Sequence, residues 1–173
     1  MSKATLNHPT KEANHQFDCE YIPVRVYQDS SLACQKIGDE IIDQINQKSA
    51  SKPFVLGLAT GSTPIKIYQH LIQAYKEGKV SFANVHSFNL DEYFPMDPKS
   101  IHSYVEFMHK NFFDHIDIPK ENIHIPDGTI APDEIDHYCK SYEEAIQSLG
   151  GIDIQLLGIG RTGHIGFNEP GSA

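Results

Sequence analysis

The sequence predicts an α/β fold: a Rossmann-like, open, mostly parallel sheet with helices on both faces, incomplete at its C-terminus. Three observations predict it. Short apolar runs alternate with longer stretches whose apolar residues recur at helical spacing. One run, "PFVLGLA" (53–59), is continuously apolar, as in a strand buried on both faces. The spacing leaves a helical crossover between successive strands, which makes neighbouring strands parallel.

The elements follow in order. "YIPVRVYQ" (21–28) is short and rich in β-formers, and is expected to be a strand. Asp29 or Ser30 then caps a helix whose apolar positions are Ile37, Ile41, Ile42 and Ile45. The run at 53–59 is the next strand. "TGSTP" follows it, with Pro64 suited to a first helical turn, and Ile67, Leu71, Ile72 and Tyr75 form that helix's stripe. "NVHSFNL" (84–90) is a strand. A loop with Pro95 and Pro98 leads to a helix over roughly 101–115, with Tyr104, Phe107, Met108 and Phe112 facing the core. "NIHIP" is a short extended piece. Residues 132–148 form a helix with Ile135, Tyr138, Cys139, Tyr142 and Ile146 inward, and "IDIQLLGIG" (152–160) is a last buried strand.

The 173 residues suffice for one domain with a real core. We expect that domain over residues 19–173, preceded by a flexible polar arm at 1–18 that lacks the apolar stretch of a signal peptide. Acidic residues number 23 against 14 basic ones, a net charge of -9, which argues against nucleic acid as a partner. No stretch approaches a membrane span. Cys19, Cys34 and Cys139 are widely separated and odd in number. They fit neither a disulfide framework nor a zinc spacing, and suit isolated thiols in a cytoplasmic protein.

In such a sheet, ligands bind beyond the carboxyl ends of the strands. Three unusual stretches fall there. In "ATGSTP", Gly61 permits close backbone approach, Thr60, Ser62 and Thr63 offer hydroxyls, and the helix N-terminus offers N–H donors. Phosphate binding and simple helix capping both fit. In "FNLDEYFP", alternation lets one of Asp91 and Glu92 enter the crevice. There a partly desolvated carboxylate can remove a proton from carbon beside a carbonyl; a solvated turn is the alternative.

"GIGRTGHIGFNEPGS" carries a GxGxxG spacing at Gly158, Gly160 and Gly163. A dinucleotide fingerprint must open an apolar helix and be followed ~20 residues on by an acidic residue. Here four of residues 163–171 are Gly or Pro, and the sequence ends before the acidic position. The dinucleotide reading fails. What remains is a glycine-rich loop bearing His164 and Glu169. The imidazole can shuttle protons while the carboxylate orients it, or the two simply brace the loop. No ligand spacing supports a metal.

"LATGSTP", "FNLDEY", "SYVEFMHKNFFDHIDIP" and "GHIGFNEPGS" together resemble the glucosamine-6-phosphate deaminases of the isomerase/6-phosphogluconolactonase superfamily, in order and spacing, from about residue 21 onward. The resemblance implies conversion of glucosamine 6-phosphate and water to fructose 6-phosphate and ammonia, without redox cofactor or obligatory metal. It implies Asp91 as the base between C2 and C1, His164 as the ring-opening group supported by Glu169, and Thr60, Gly61, Ser62 and Thr63 around the phosphate. It also implies a longer chain, so an open strand edge and a homo-oligomer are expected. One position departs from the family. Thr162 stands where an aspartate usually pairs with the imidazole. Glu169 alone then suffices, or the substrate is a related sugar phosphate, or the protein mainly binds sugar phosphates. A lactonase is the other enzymatic alternative.

Overall fold

A computed structural model describes residues 23–49 and 51–172. The expected arm at 1–18 lies outside them. Four strands form one parallel sheet: β1 (Phe54–Leu58), β2 (Val85–Asn89), β3 (Ile123–His124) and β4 (Ile154–Gln155), in the order β3-β2-β1-β4. The order reverses direction between β1 and β4, and a crevice opens at such a point. Four helices connect and cover the strands: α1 (Ser30–Gln47), α2 (Ser62–Lys76), α3 (Tyr104–Asn111) and α4 (Ile135–Ser148).

Asp29 starts α1 by accepting the N–H groups of Ser31 and Leu32 at 2.8 and 2.9 Å. All five residues of β1 are buried, as the continuous apolar run requires. Phe54, Leu56 and Leu58 alternate onto one face and meet Ile41 and Ile42 of α1 and Ile67, Tyr68, Leu71 and Ile72 of α2. Phe112 completes this core, stacked on Tyr68 at 4.9 Å and edge-on to Phe82 at 5.5 Å. The opposite face carries Phe88, His86 and His124, roofed by Tyr142 of α4. The Tyr142 hydroxyl is shared between the carbonyls of Asn89 (2.8 Å) and His124 (3.1 Å).

Several expectations need correction. Residues 23–28 form no strand; Val24 and Val26 are exposed, and β-propensity without a pairing partner does not make a ladder. The helix expected over 101–115 starts only at Tyr104, where Ser103 caps it, and tightens into a 3₁₀ turn at Phe113–His115. No residue of α4 is fully buried, and Cys139 is exposed, because that helix covers the narrow β2–β3 side of the sheet. The last strand is short and only partly buried. Among the described residues β4 has no neighbour on its outer side, and Leu157 and Ile159 beyond it are exposed.

Candidate active site

Three loops leave the carboxyl edge of the sheet side by side. The Leu90 N–H donates to the Leu58 carbonyl at 3.1 Å, so the chain leaves β2 beside β1. The Leu156 N–H donates to the Gly57 carbonyl at 2.9 Å, so the last loop leaves on the other side of β1.

In the first loop, Gly61 precedes α2 with φ +114°, a conformation open to glycine and few others. No side chain caps α2. Its first N–H groups therefore keep their donor capacity at the positive end of the helix dipole. Thr60 is half-buried and Ser62 and Thr63 are exposed around them. Of the two readings of "ATGSTP", capping by a Ser or Thr hydroxyl is not the one observed. The Tyr68 hydroxyl donates to the Ala59 carbonyl and anchors the loop's root.

In the second loop the paired carboxylates part company. Glu92 turns to the start of α3, where its Oε2 accepts the N–H groups of Tyr104 (2.8 Å) and Val105 (3.2 Å). A carboxylate there is favoured by the helix dipole. Asp91 faces the crevice. Its partial burial, reinforced by the Glu92 charge, raises its carboxyl above the ordinary carboxylate range.

In the third loop, glycines set the path. Gly163 (φ +85°) closes a turn in which its N–H donates to the Gly160 carbonyl at 3.0 Å. Gly166 (φ +59°) takes the first of two turn positions between Ile165 and Asn168, which exchange backbone hydrogen bonds at 3.2 and 3.0 Å. This hairpin brings Glu169 back to Thr162 and His164. Thr162 Oγ1 lies 2.8 Å from both His164 Nδ1 and Glu169 Oε2, and Glu169 Oε1 lies 3.2 Å from Nδ1. The imidazole rests over Gly160, where a Cβ would fall 2.1 Å from Nε2. The GxGxxG spacing thus has a steric meaning that the sequence did not reveal: Gly160 makes room for an imidazole.

The second and third loops meet at the carboxylate: a Cβ on Gly166 would stand 3.2 Å from Asp91 Oδ2. Asp91 and the hairpin that carries His164 and Glu169 therefore border one crevice. Tyr104 ties in the first loop. Its ring centroid is 4.9 Å from Tyr93 and 6.0 Å from Phe167, which are 5.2 Å from each other. Burial, then the neighbouring Tyr93, pushes its phenol up to about 12, while the nearby Thr60 hydroxyl pulls the other way. Sequence reasoning put Tyr104 in an apolar stripe. As the first residue of α3 it belongs to the loops instead. Asn89 was also missed: it is 2 % exposed, and neither amide atom has a protein partner.

The set offers a partly desolvated carboxylate, an imidazole with its own carboxylate, and a bare helix N-terminus. Together these suit proton transfer on a small anionic molecule. Among the described residues no three His, Cys, Asp or Glu side chains gather as a metal site would.

Comparison with known proteins agrees with this architecture. A sequence profile described as glucosamine-6-phosphate isomerases/6-phosphogluconolactonase matches residues 28–166. Glucosamine-6-phosphate deaminase of Thermoanaerobacter sp. (strain X514) is 54% identical over 136 residues, covering 79% of this chain and 52% of the relative. The deaminase of Oceanobacillus iheyensis is 54% identical over 144 residues, covering 83% and 54%. A solved structure of a monomeric glucosamine-6-phosphate deaminase superposes with a TM-score of 0.78 at 41% identity, over 85% of this chain and 59% of that one. 6-Phosphogluconolactonase from Thermotoga maritima gives 0.63 at 26% identity, over 80% and 59%. The chain spans about half the length of the curated relatives it matches. By its profile match and its sheet, the chain belongs to the glucosamine-6-phosphate isomerase/6-phosphogluconolactonase family.

Proposed function

We propose that this chain carries the catalytic crevice of an amino-sugar phosphate deaminase, converting glucosamine 6-phosphate and water to fructose 6-phosphate and ammonia. The observation that carries the reading is the approach of Asp91 to the His164–Glu169 hairpin. In this reading His164 moves the proton that opens the sugar ring. Asp91 takes the C2 proton and returns it at C1, so C2 becomes an imine carbon. Water adds there and ammonia leaves, with the C2 oxygen retained as the ketone. Thr60, Gly61, Ser62 and Thr63 hold the phosphate on the N-terminus of α2. A raised carboxyl suits Asp91 to this work, since a base is most effective when its pKa lies near the working pH.

The test measures ammonia release and, separately, binding of glucosamine 6-phosphate. Asp91→Asn is expected to lower release by about 10²–10⁴-fold while binding changes little. Ammonia release undiminished in that variant removes Asp91 from the mechanism; hydrolysis of a sugar-phosphate lactone by a protein that releases no ammonia selects the lactonase alternative, which needs no such base. A second reading, a module that binds sugar phosphate without turnover, draws on one observation: the group hydrogen-bonded to His164 Nδ1 is the uncharged Thr162. Tight binding with no release by the unaltered protein selects it.

We also take the protein to be cytoplasmic and self-associating. Among the described residues no helix is long and apolar enough to cross a membrane. The structural relative with the 0.78 score is described as monomeric. Sedimentation at high concentration decides, and a clean monomer rules the assembly out.

A further inference from the structure

We infer that Thr162 fixes the tautomer of His164, holding the proton on Nδ1 and leaving Nε2 as the atom that exchanges protons. The tautomer follows from geometry alone. Only the statement that Nε2 serves catalysis rests on the deaminase reading above.

The direction of the hydrogen bonds forces the assignment. An ionised carboxylate can only accept. Thr162 Oγ1 is 2.8 Å from Glu169 Oε2, so the hydroxyl proton points at Glu169. With its one proton committed, Oγ1 presents a lone pair to His164 Nδ1, also at 2.8 Å. A lone pair cannot face a lone pair, so Nδ1 carries hydrogen in the neutral ring as well as in the cation. Glu169 Oε1 at 3.2 Å adds a negative neighbour on the same side of the ring and acts in the same sense.

The other ring nitrogen is thereby defined. Nε2 lies over Gly160, at the spot where any Cβ would intrude. Gly160 is itself held in place, since its N–H donates to the His164 carbonyl at 2.8 Å. The loop thus grips one edge of the imidazole with a hydroxyl and a carboxylate and leaves the other edge clear of side chains at position 160. Histidine in water prefers the opposite tautomer, with hydrogen on Nε2, so the preference seen here has to be imposed. Thr162 touches no substrate atom in this account and acts through the imidazole. It is a positioning residue.

Nitrogen NMR of the full chain, with histidine labelled in the ring and His164 identified by its loss in His164→Gln, reads the tautomer directly at a pH where the ring is neutral. The unaltered protein is expected to show Nδ1 protonated. Thr162→Val keeps the shape and removes the hydroxyl; the tautomer ratio should move about tenfold toward Nε2–H, the effect of one net hydrogen bond. Thr162→Ser should restore it. A ring protonated on Nε2 in the unaltered protein, or a Thr162→Val ratio indistinguishable from it, overturns the inference. Because the readout needs no turnover, a normal tautomer response without ammonia release sinks the deaminase reading and leaves this inference standing. Release with an unresponsive tautomer does the reverse.

Discussion

The two faces of the sheet are built on different principles. One is mainly apolar, with Ser87 as a buried hydroxyl beside Leu56: Phe54, Leu56, Leu58 and Val85 meet the buried stripes of α1 and α2 and the Phe82–Phe112–Tyr68 cluster. The other is a stack of rings with polar edges. Phe88 lies parallel to His124 at 4.2 Å, His86 stacks beyond it at 5.8 Å, and Tyr142 closes the stack edge-on. His86 Nδ1 and His124 Nε2 are buried without a partner. The first face derives its stability from area and fit. The second depends on the direction of a few hydrogen bonds and on two imidazoles staying uncharged. The contrast teaches that stability and sensitivity to conditions reside on opposite sides of one four-stranded sheet.

The largest effect should come from the apolar face. Phe112 is 1 % exposed and wedged between Tyr68 and Phe82. Phe112→Ala removes that wedge and leaves a cavity, with an expected loss of about 3–5 kcal/mol in denaturant unfolding. A loss below about 1 kcal/mol would mean the face is loosely packed, and the contrast would fail. The ring-stacked face should respond less. Tyr142→Phe keeps the ring against Phe88 and removes only the hydroxyl shared by the Asn89 and His124 carbonyls. The expected cost is about 1–2 kcal/mol, read in the same experiment. No change would show that water serves those carbonyls equally well.

The same contrast explains what could be seen in the sequence. The apolar face is written in composition: five consecutive buried residues in β1 and the Ile67–Leu71 spacing of α2 need no knowledge of distant contacts. The divergence of Asp91 and Glu92 follows from alternation along an extended chain. Other features depend on a partner elsewhere. Residues 23–28 have strand composition, but among the described residues no strand pairs with them. Tyr138 and Tyr142 satisfy helical periodicity yet stay at the boundary, because their hydroxyls are used on the Asp127 N–H and the Asn89 carbonyl. Tyr104 changes allegiance because α3 begins at that residue, on a cap that Glu92 supplies from twelve positions away. The Thr162–His164–Glu169 triangle needs the Gly166 turn, whose hand is a three-dimensional fact.

The smallest effect is the most specific to the ring-stacked face, and it depends on pH. Burial lowers the pKa of both His86 and His124 below the ordinary 6.5, and for His124 the neighbouring His86 acts in the same direction. The folded state therefore resists protons that the unfolded chain accepts. A group depressed in this way gives its full contribution above 6.5 and loses it as the pH falls through the folded value. Phe88 stacks on His124 and Tyr142 meets Phe88 edge-on, and among the described residues no carboxylate is paired with either imidazole to offset the new charge. Tm should accordingly fall between about pH 7 and about pH 5. The double variant His86→Gln, His124→Gln should show a shallower fall, even if its Tm at neutral pH is lower. Other histidines and the carboxylates titrate equally in both proteins, so the difference in slope isolates the stacked pair. Parallel slopes would mean that these two rings accept protons as freely as any surface histidine, and the two faces would then differ in composition alone.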